Sequence, residues 1–150
     1  MRQLSLMLGR SIRRRGGLIE PAIDAAVTKL TALARRNGWR LLVLFGSIAR
    51  GEEGRDLDLA VLPTAMPGLL EQGRWQAELE DLFAPRPLDL LLLGAATSPV
   101  TLYQVFRDGR CLFEAEPGLF DRQMDRAFFL FADSEYFRRQ QREVLYGLAR

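Results

Sequence analysis

The sequence contains no histidine. That absence removes Ser-His-Asp and Cys-His catalysis, imidazole zinc sites and HD-type phosphohydrolase chemistry together. A single cysteine, Cys111, excludes an internal disulfide framework and fits a reducing compartment such as the cytoplasm. It lies in the apolar stretch Cys111-Leu112-Phe113, the setting of a small buried hydrophobe. Lysine is nearly absent as well. Lys29 stands alone among 21 basic residues, and the rest are arginines, whose forks suit phosphates and surface ion pairs alike. No apolar run approaches the roughly 20 residues that cross a bilayer. Nineteen acids leave a net charge of +2, so the whole molecule carries no basic nucleic-acid footprint. Carboxylates, hydroxyls, guanidinium groups and oxygen-bound metals remain available for chemistry.

A chain of 150 residues fits one domain. Residues 1–19 hold five arginines and no acid, and read as a flexible basic leader. Their charge follows the apolar stretch Leu4 to Leu8 instead of leading it, which is the wrong order for a secretory signal. Residues 20–116 read as the core. Ile23, Ala26, Val27, Leu30, Leu33 and Ala34 recur at helical spacing from Pro21 until Asn37-Gly38. Leu41 to Phe45 is a continuous apolar run ending at Gly46, the pattern of a buried strand. Further strands are expected over 56–62, 88–93 and 110–113, and further helices over 68–82 and from Pro99 to Phe106. Residues 117–150 form a helical extension, with Leu119 to Leu148 free of proline. Unbroken, it would run ~45 Å, beyond a body whose radius of gyration is about 15 Å. It either folds back or reaches out. The order describes a small α/β or α+β sheet with helices largely on one side.

Three acids in apolar strand contexts carry the chemistry. Asp56 and Asp58 are two apart on an expected strand, so both side chains leave one face of the sheet. Their mutual repulsion and desolvation call for a cation between them. A hard divalent ion with oxygen ligands answers this, and Mg²⁺ is the usual occupant where phosphates share the site. Asp89, alone among leucines on another strand, is the natural third ligand if that strand lies alongside. Three such carboxylates can bridge two metals, the arrangement suited to in-line phosphoryl or nucleotidyl transfer. The competing reading pairs the acids with Arg55 or Arg86. Upstream, Phe45-Gly46-Ser47-Ile48-Ala49-Arg50-Gly51 follows the first strand directly. Its glycine allows close backbone approach to a phosphate, and Ser47 adds a hydroxyl donor.

These segments together resemble a known family. Gly46-Ser47-Ile48-Ala49-Arg50-Gly51-Glu52, followed by Asp56-Leu57-Asp58-Leu59, is similar to the signature of the polymerase-beta-like nucleotidyltransferases. The similarity is greatest to their minimal (MNT) branch, which includes MntA-type antitoxins paired with HEPN ribonuclease toxins. Pro87-Leu88-Asp89-Leu90 supplies the third acid, and residues 109–114 and 131–136 resemble the later strand and helix, so the likeness spans roughly residues 22 to 146. The resemblance implies the polymerase-beta-like α/β fold, a small mixed sheet with helices mainly on one side and a long C-terminal helix. It implies that Gly46 and Ser47 bind the triphosphate of ATP, with Arg50 offsetting its charge. Asp56, Asp58 and Asp89 would hold Mg²⁺, and Asp89 would help deprotonate the acceptor. It further implies AMP transfer to a tyrosine of a HEPN partner, which the C-terminal helix would dock; neither membrane nor nucleic-acid binding is expected. A small-molecule transferase, for instance toward an aminoglycoside, and an inactive module acting by contact are the alternatives. Glu52 and Glu53 read as loop solubilisers. In one place the chain departs from the family pattern: eight residues (48–55) separate the Gly-Ser pair from the first Asp instead of ten, and Arg55 replaces a serine. Two missing residues shorten the loop by at most ~7 Å.

Overall fold

A computed structural model describes residues 21–148; the basic leader lies outside the described residues. Helix α1 spans Pro21–Arg36, with Asp24 in its first turn and Arg35 and Arg36 in its last, the polarity the helix dipole favours. Strand β1 (Trp39–Phe45) leads into a four-residue helix α2 (Gly46–Ala49). Strand β2 (Leu57–Pro63), helix α3 (Leu69–Phe83) and strand β3 (Leu88–Leu92) follow. Helix α4 (Pro99–Arg107) starts on a Ser98 side chain that accepts from the Thr101 amide, with Pro99 in the first turn. Strand β4 (Arg110–Glu114) and helix α5 (Leu119–Leu148) complete the described chain.

The four strands lie in the order β3-β2-β1-β4. β1 runs antiparallel to both β2 and β4, whereas β2 and β3 are parallel, so the sheet is mixed as expected. The helices, expected mainly on one side, divide between the two faces. On one face, Leu42, Leu44, Leu57, Leu59 and Val61 pack with Ile23, Leu30 and Leu33 of α1 and with Trp75 and Leu79 of α3. Trp39 and Trp75 meet edge to face there, ring centroids 5.4 Å apart. On the other face, Leu41, Val43 and Ala60 pack with Leu102, Val105 and Phe106 of α4 and with Leu119, Phe120, Met124 and Ala127 of α5. Cys111 is buried on this second face, as its apolar setting implied. A strand such as β1, apolar without interruption, is what two covered faces require.

The Glu114 carboxylate accepts hydrogen bonds from the Gly118 and Phe120 amides and so ties the start of α5 to the sheet. Phe128 and Phe131 then pack on Tyr103 of α4, Phe131 stacked at 4.0 Å between centroids. From residue 135 to 147 every position is exposed. The long helix therefore reaches out past the body. No helix among the described residues is long and apolar enough to cross a membrane.

Candidate active site

The site forms where β1 ends and β2 begins. In the antiparallel register Phe45 pairs with Asp58, which sets the residue after β1, Gly46, beside the Asp58 side chain. Gly46 has φ +76°, and a Cβ built on it would overlap Asp58 Oδ2 and stand 3.0 Å from Asp58 Cγ. Only glycine satisfies both the left-handed backbone and that contact. Helix α2 then begins with Phe45 extended and no side chain capping it, so its first amides carry no side-chain acceptor. Ser47 lies in this turn, and its hydroxyl makes no hydrogen bond among the described residues.

Across the sheet the parallel register of β2 and β3 places Asp58 opposite Asp89. Both leave the sheet on one face, the face that carries α4 and α5, because they share parity with Ala60 and Leu91. Asp56 falls one residue outside β2, on the bend that precedes it, and not on the strand as the alternation suggested. All the same, it acts on Asp58. Partial burial first, then the charges of Asp89 and Asp56, push the Asp58 carboxyl above the usual carboxylate range, with Arg50 opposing them. As the side chains stand, no three His, Cys, Asp or Glu groups among the described residues close into a ready metal cage.

The residue types nonetheless fit a divalent cation. Every candidate donor is a carboxylate oxygen, and Asp56, Asp58 and Asp89 form no ion pair or hydrogen bond among the described residues. A hard ion such as Mg²⁺ takes oxygen ligands of this kind and relieves their mutual repulsion.

The arginines around the site hold their own loops. Arg50 holds Glu52 through two bonds, Nε to Oε1 at 3.0 Å and a terminal nitrogen to Oε2 at 3.3 Å. Glu52 is therefore the partner of Arg50 as well as a solvated loop acid. That pairing holds the Glu52 carboxyl below its ordinary range. Arg86, considered above as an acid's partner, instead donates to two backbone carbonyls, those of Gly54 and Arg55, each at 3.1 Å. Arg110 donates to the Ala49 carbonyl at 2.9 Å and ties the end of α2 to β4. Beside it an open cleft of about 580 Å³ is lined by Ala49, Arg50, Glu52 and residues 107–110. Gly54, Arg86 and Arg110 carry no motif of their own. The one available signal was Arg86 preceding Pro87, which biases it to extended backbone at the entry to β3.

With this geometry in hand, comparison with known proteins is specific. The family model described as polymerase beta, nucleotidyltransferase matches residues 28–117. A search of curated proteins finds no match. Among solved structures, a toxin–antitoxin with AMP-PNP is 21% identical with a TM-score of 0.60, covering 83% of this chain and 98% of its own. An MntA–HepT toxin–antitoxin structure is 18% identical with a TM-score of 0.59, covering 85% and 99%. A tri-AMPylated Shewanella oneidensis HEPN toxin in complex with MNT antitoxin is 20% identical at a TM-score of 0.59, again covering 85% and 99%. At these identities the structural likeness establishes a shared fold.

Proposed function

Because the chain belongs to the polymerase beta nucleotidyltransferase family, we propose that it is an antitoxin that transfers AMP from ATP to a tyrosine of a HEPN-type ribonuclease toxin in the cytoplasm. The observation that carries the reading is the register that sets Asp58 opposite Asp89 while Gly46 leaves the Asp58 carboxylate the space a Cβ would fill. It puts the acids and the Gly-Ser turn side by side, as nucleotidyl transfer requires.

Gly46 and Ser47 bind the β and γ phosphates through the uncapped start of α2 and the Ser47 hydroxyl. Asp56, Asp58 and Asp89 would hold Mg²⁺, which when bound offsets charge on the phosphates and activates the acceptor oxygen. Arg50, whose charge acts on Asp58, would offset charge on the phosphates once it releases Glu52. The acceptor hydroxyl approaches the exposed Asp89 on the edge strand β3 and loses its proton to that carboxylate. Its oxygen forms the bond to the α-phosphorus as the bond to pyrophosphate breaks. Asp89 is exposed, which leaves room for a protein acceptor.

The partner surface is the projecting half of α5. Phe137, Val144, Leu145 and Tyr146 are 57–73% exposed there, more apolar area than an isolated helix retains without a use. Support for a toxin partner comes from the neighbouring folds, which were solved in toxin–antitoxin complexes, one with its HEPN toxin AMPylated.

The test is incubation with labelled ATP, Mg²⁺ and a co-expressed HEPN neighbour. Label on a partner tyrosine, lost in Asp56→Ala with Asp58→Ala, is the expected result. Label on a small molecule would establish the aminoglycoside-type alternative. No label, with complex formation intact, would establish neutralisation by contact alone.

A further inference from the structure

The shortened loop between the Gly-Ser turn and the first acid raises a question of geometry. Asp56 lies on a bend outside β2, so the pleat of the sheet does not aim its side chain. Something else must hold it.

The contacts around residues 54–57 supply the answer. Arg86 spans the carbonyls of Gly54 and Arg55 with its Nε and one terminal nitrogen, both at 3.1 Å. One residue past Asp56, the Leu57 amide donates to the Pro87 carbonyl at 2.9 Å. Asp56 is thus tied on both sides to the two residues 86–87, and that same segment runs on into Asp89. On the far side, Gly54 lies so close over Ser47 that an added Cβ would stand 2.5 Å from Ser47 Oγ. The Arg86 backbone is itself anchored, its amide donating to the Phe83 carbonyl at the end of α3.

We propose that Arg86 is a positioning residue for nucleotidyl transfer: its guanidinium clamps the 54–55 backbone so that Asp56 faces Asp58 and Asp89, and Gly54 seats against Ser47. A planar fork reaching two carbonyls fixes a peptide's direction as well as its place, which a point charge does not. The clamp allows the eight-residue connection to deliver Asp56 without slack. The inference rests on the nucleotidyltransferase reading and goes beyond it.

The experiment uses the full chain with a non-hydrolysable ATP analogue and Mn²⁺, its binding followed by electron paramagnetic resonance. Affinity is measured below each variant's melting midpoint. Arg86→Ala is expected to weaken Mn²⁺ about 10–100-fold, the range for residues that orient a metal's ligands. The Mg²⁺ needed for half-maximal transfer should rise by a similar factor. Arg86→Lys, which can reach one carbonyl, should fall between Arg86→Ala and wild type, and it decides the matter if the alanine variant fails to fold. Arg74→Ala, remote from the site and exposed, should bind as wild type. Wild-type Mn²⁺ affinity in both Arg86 variants, whatever their melting points, overturns the clamp while leaving the function standing. A wild-type protein that binds no Mn²⁺ with nucleotide overturns the function and the clamp with it.

Discussion

Gly46→Ala probes the contact on which the site depends. A residue with a Cβ at φ +76° carries left-handed strain of ~1–2 kcal/mol. The new methyl would also overlap the Asp58 carboxylate and stand 3.2 Å from Asp58 Cβ, an atom fixed by the strand. Pushing the carboxylate aside is an overpacking event of ~1–3 kcal/mol. A total near ~3 kcal/mol in a chain of this size lowers the melting point by about 6–12 °C. Transfer should fall further, by ~100-fold, because a shift of about 1 Å in a reacting constellation costs that much. The strain and the clash separate in a double-mutant cycle with Asp58→Ala. In that background the carboxylate is gone, so Gly46→Ala retains the backbone strain and the single 3.2 Å contact. The coupling energy from urea denaturation should be ~1–2 kcal/mol. Additive effects within ~0.5 kcal/mol, together with undiminished AMP transfer by Gly46→Ala, would refute the contact.

Asp58→Asn reads the same site through pH. Because the folded carboxyl of Asp58 is raised, the native state binds more protons than the unfolded one, and stability falls as pH climbs from the ordinary carboxylate value through the raised one. Without metal, Asp58→Asn should therefore melt above wild type at pH 7, the gap closing toward pH 4; a gap of constant size across that range would contradict the assignment. Mg²⁺ with nucleotide should raise the melting point of wild type and not of Asp58→Asn, as differential scanning fluorimetry would show. Glu52→Ala frees Arg50 from its surface ion pair, a contribution of ~0–1 kcal/mol, so the KM for ATP should fall by up to about 5-fold. Arg50→Ala should raise it. Ending the chain after Ser134 keeps the residues of α5 that pack in the second core and on Tyr103, so melting should change by only a few degrees. Capture of a HEPN partner in a pull-down should be lost.

Much of this architecture is written in local pattern. The 3.6-residue recurrence from Ile23 to Ala34 places α1, and the apolar run ending at Gly46 places β1, because each signal comes from neighbouring residues alone. Trp39 and Arg40 join β1 although they follow the Asn-Gly stop directly; Trp39 pairs with Pro63 of β2 and the Arg40 carbonyl accepts from the Ala115 amide, long-range bonds that no local signal carries. The side of the sheet that each helix covers is also not local. Periodicity shows that α4 has one apolar face, not which layer receives it. The uninterrupted apolar character of Leu41 to Phe45 did contain the hint, since a strand with one wet face would alternate.

The site divides along the same line. Asp58 and Asp89 stood out because an acid embedded in a leucine strand contradicts its surroundings, and the parallel register then made them neighbours. Asp56 looked equivalent by spacing, yet the chain bends before it, so its direction depends on bonds from a segment thirty residues away. On length alone, a connection two residues shorter than the family pattern would offset the phosphate turn from the acids. The contacts argue the reverse. With Gly54 against Ser47 and the Gly54 carbonyl on Arg86, a short connection is taut, and any inserted residue would have to bulge outward or loosen both ties. Restoring two residues between Glu53 and Gly54 should therefore slow transfer, even though it would bring the spacing back to the usual family length.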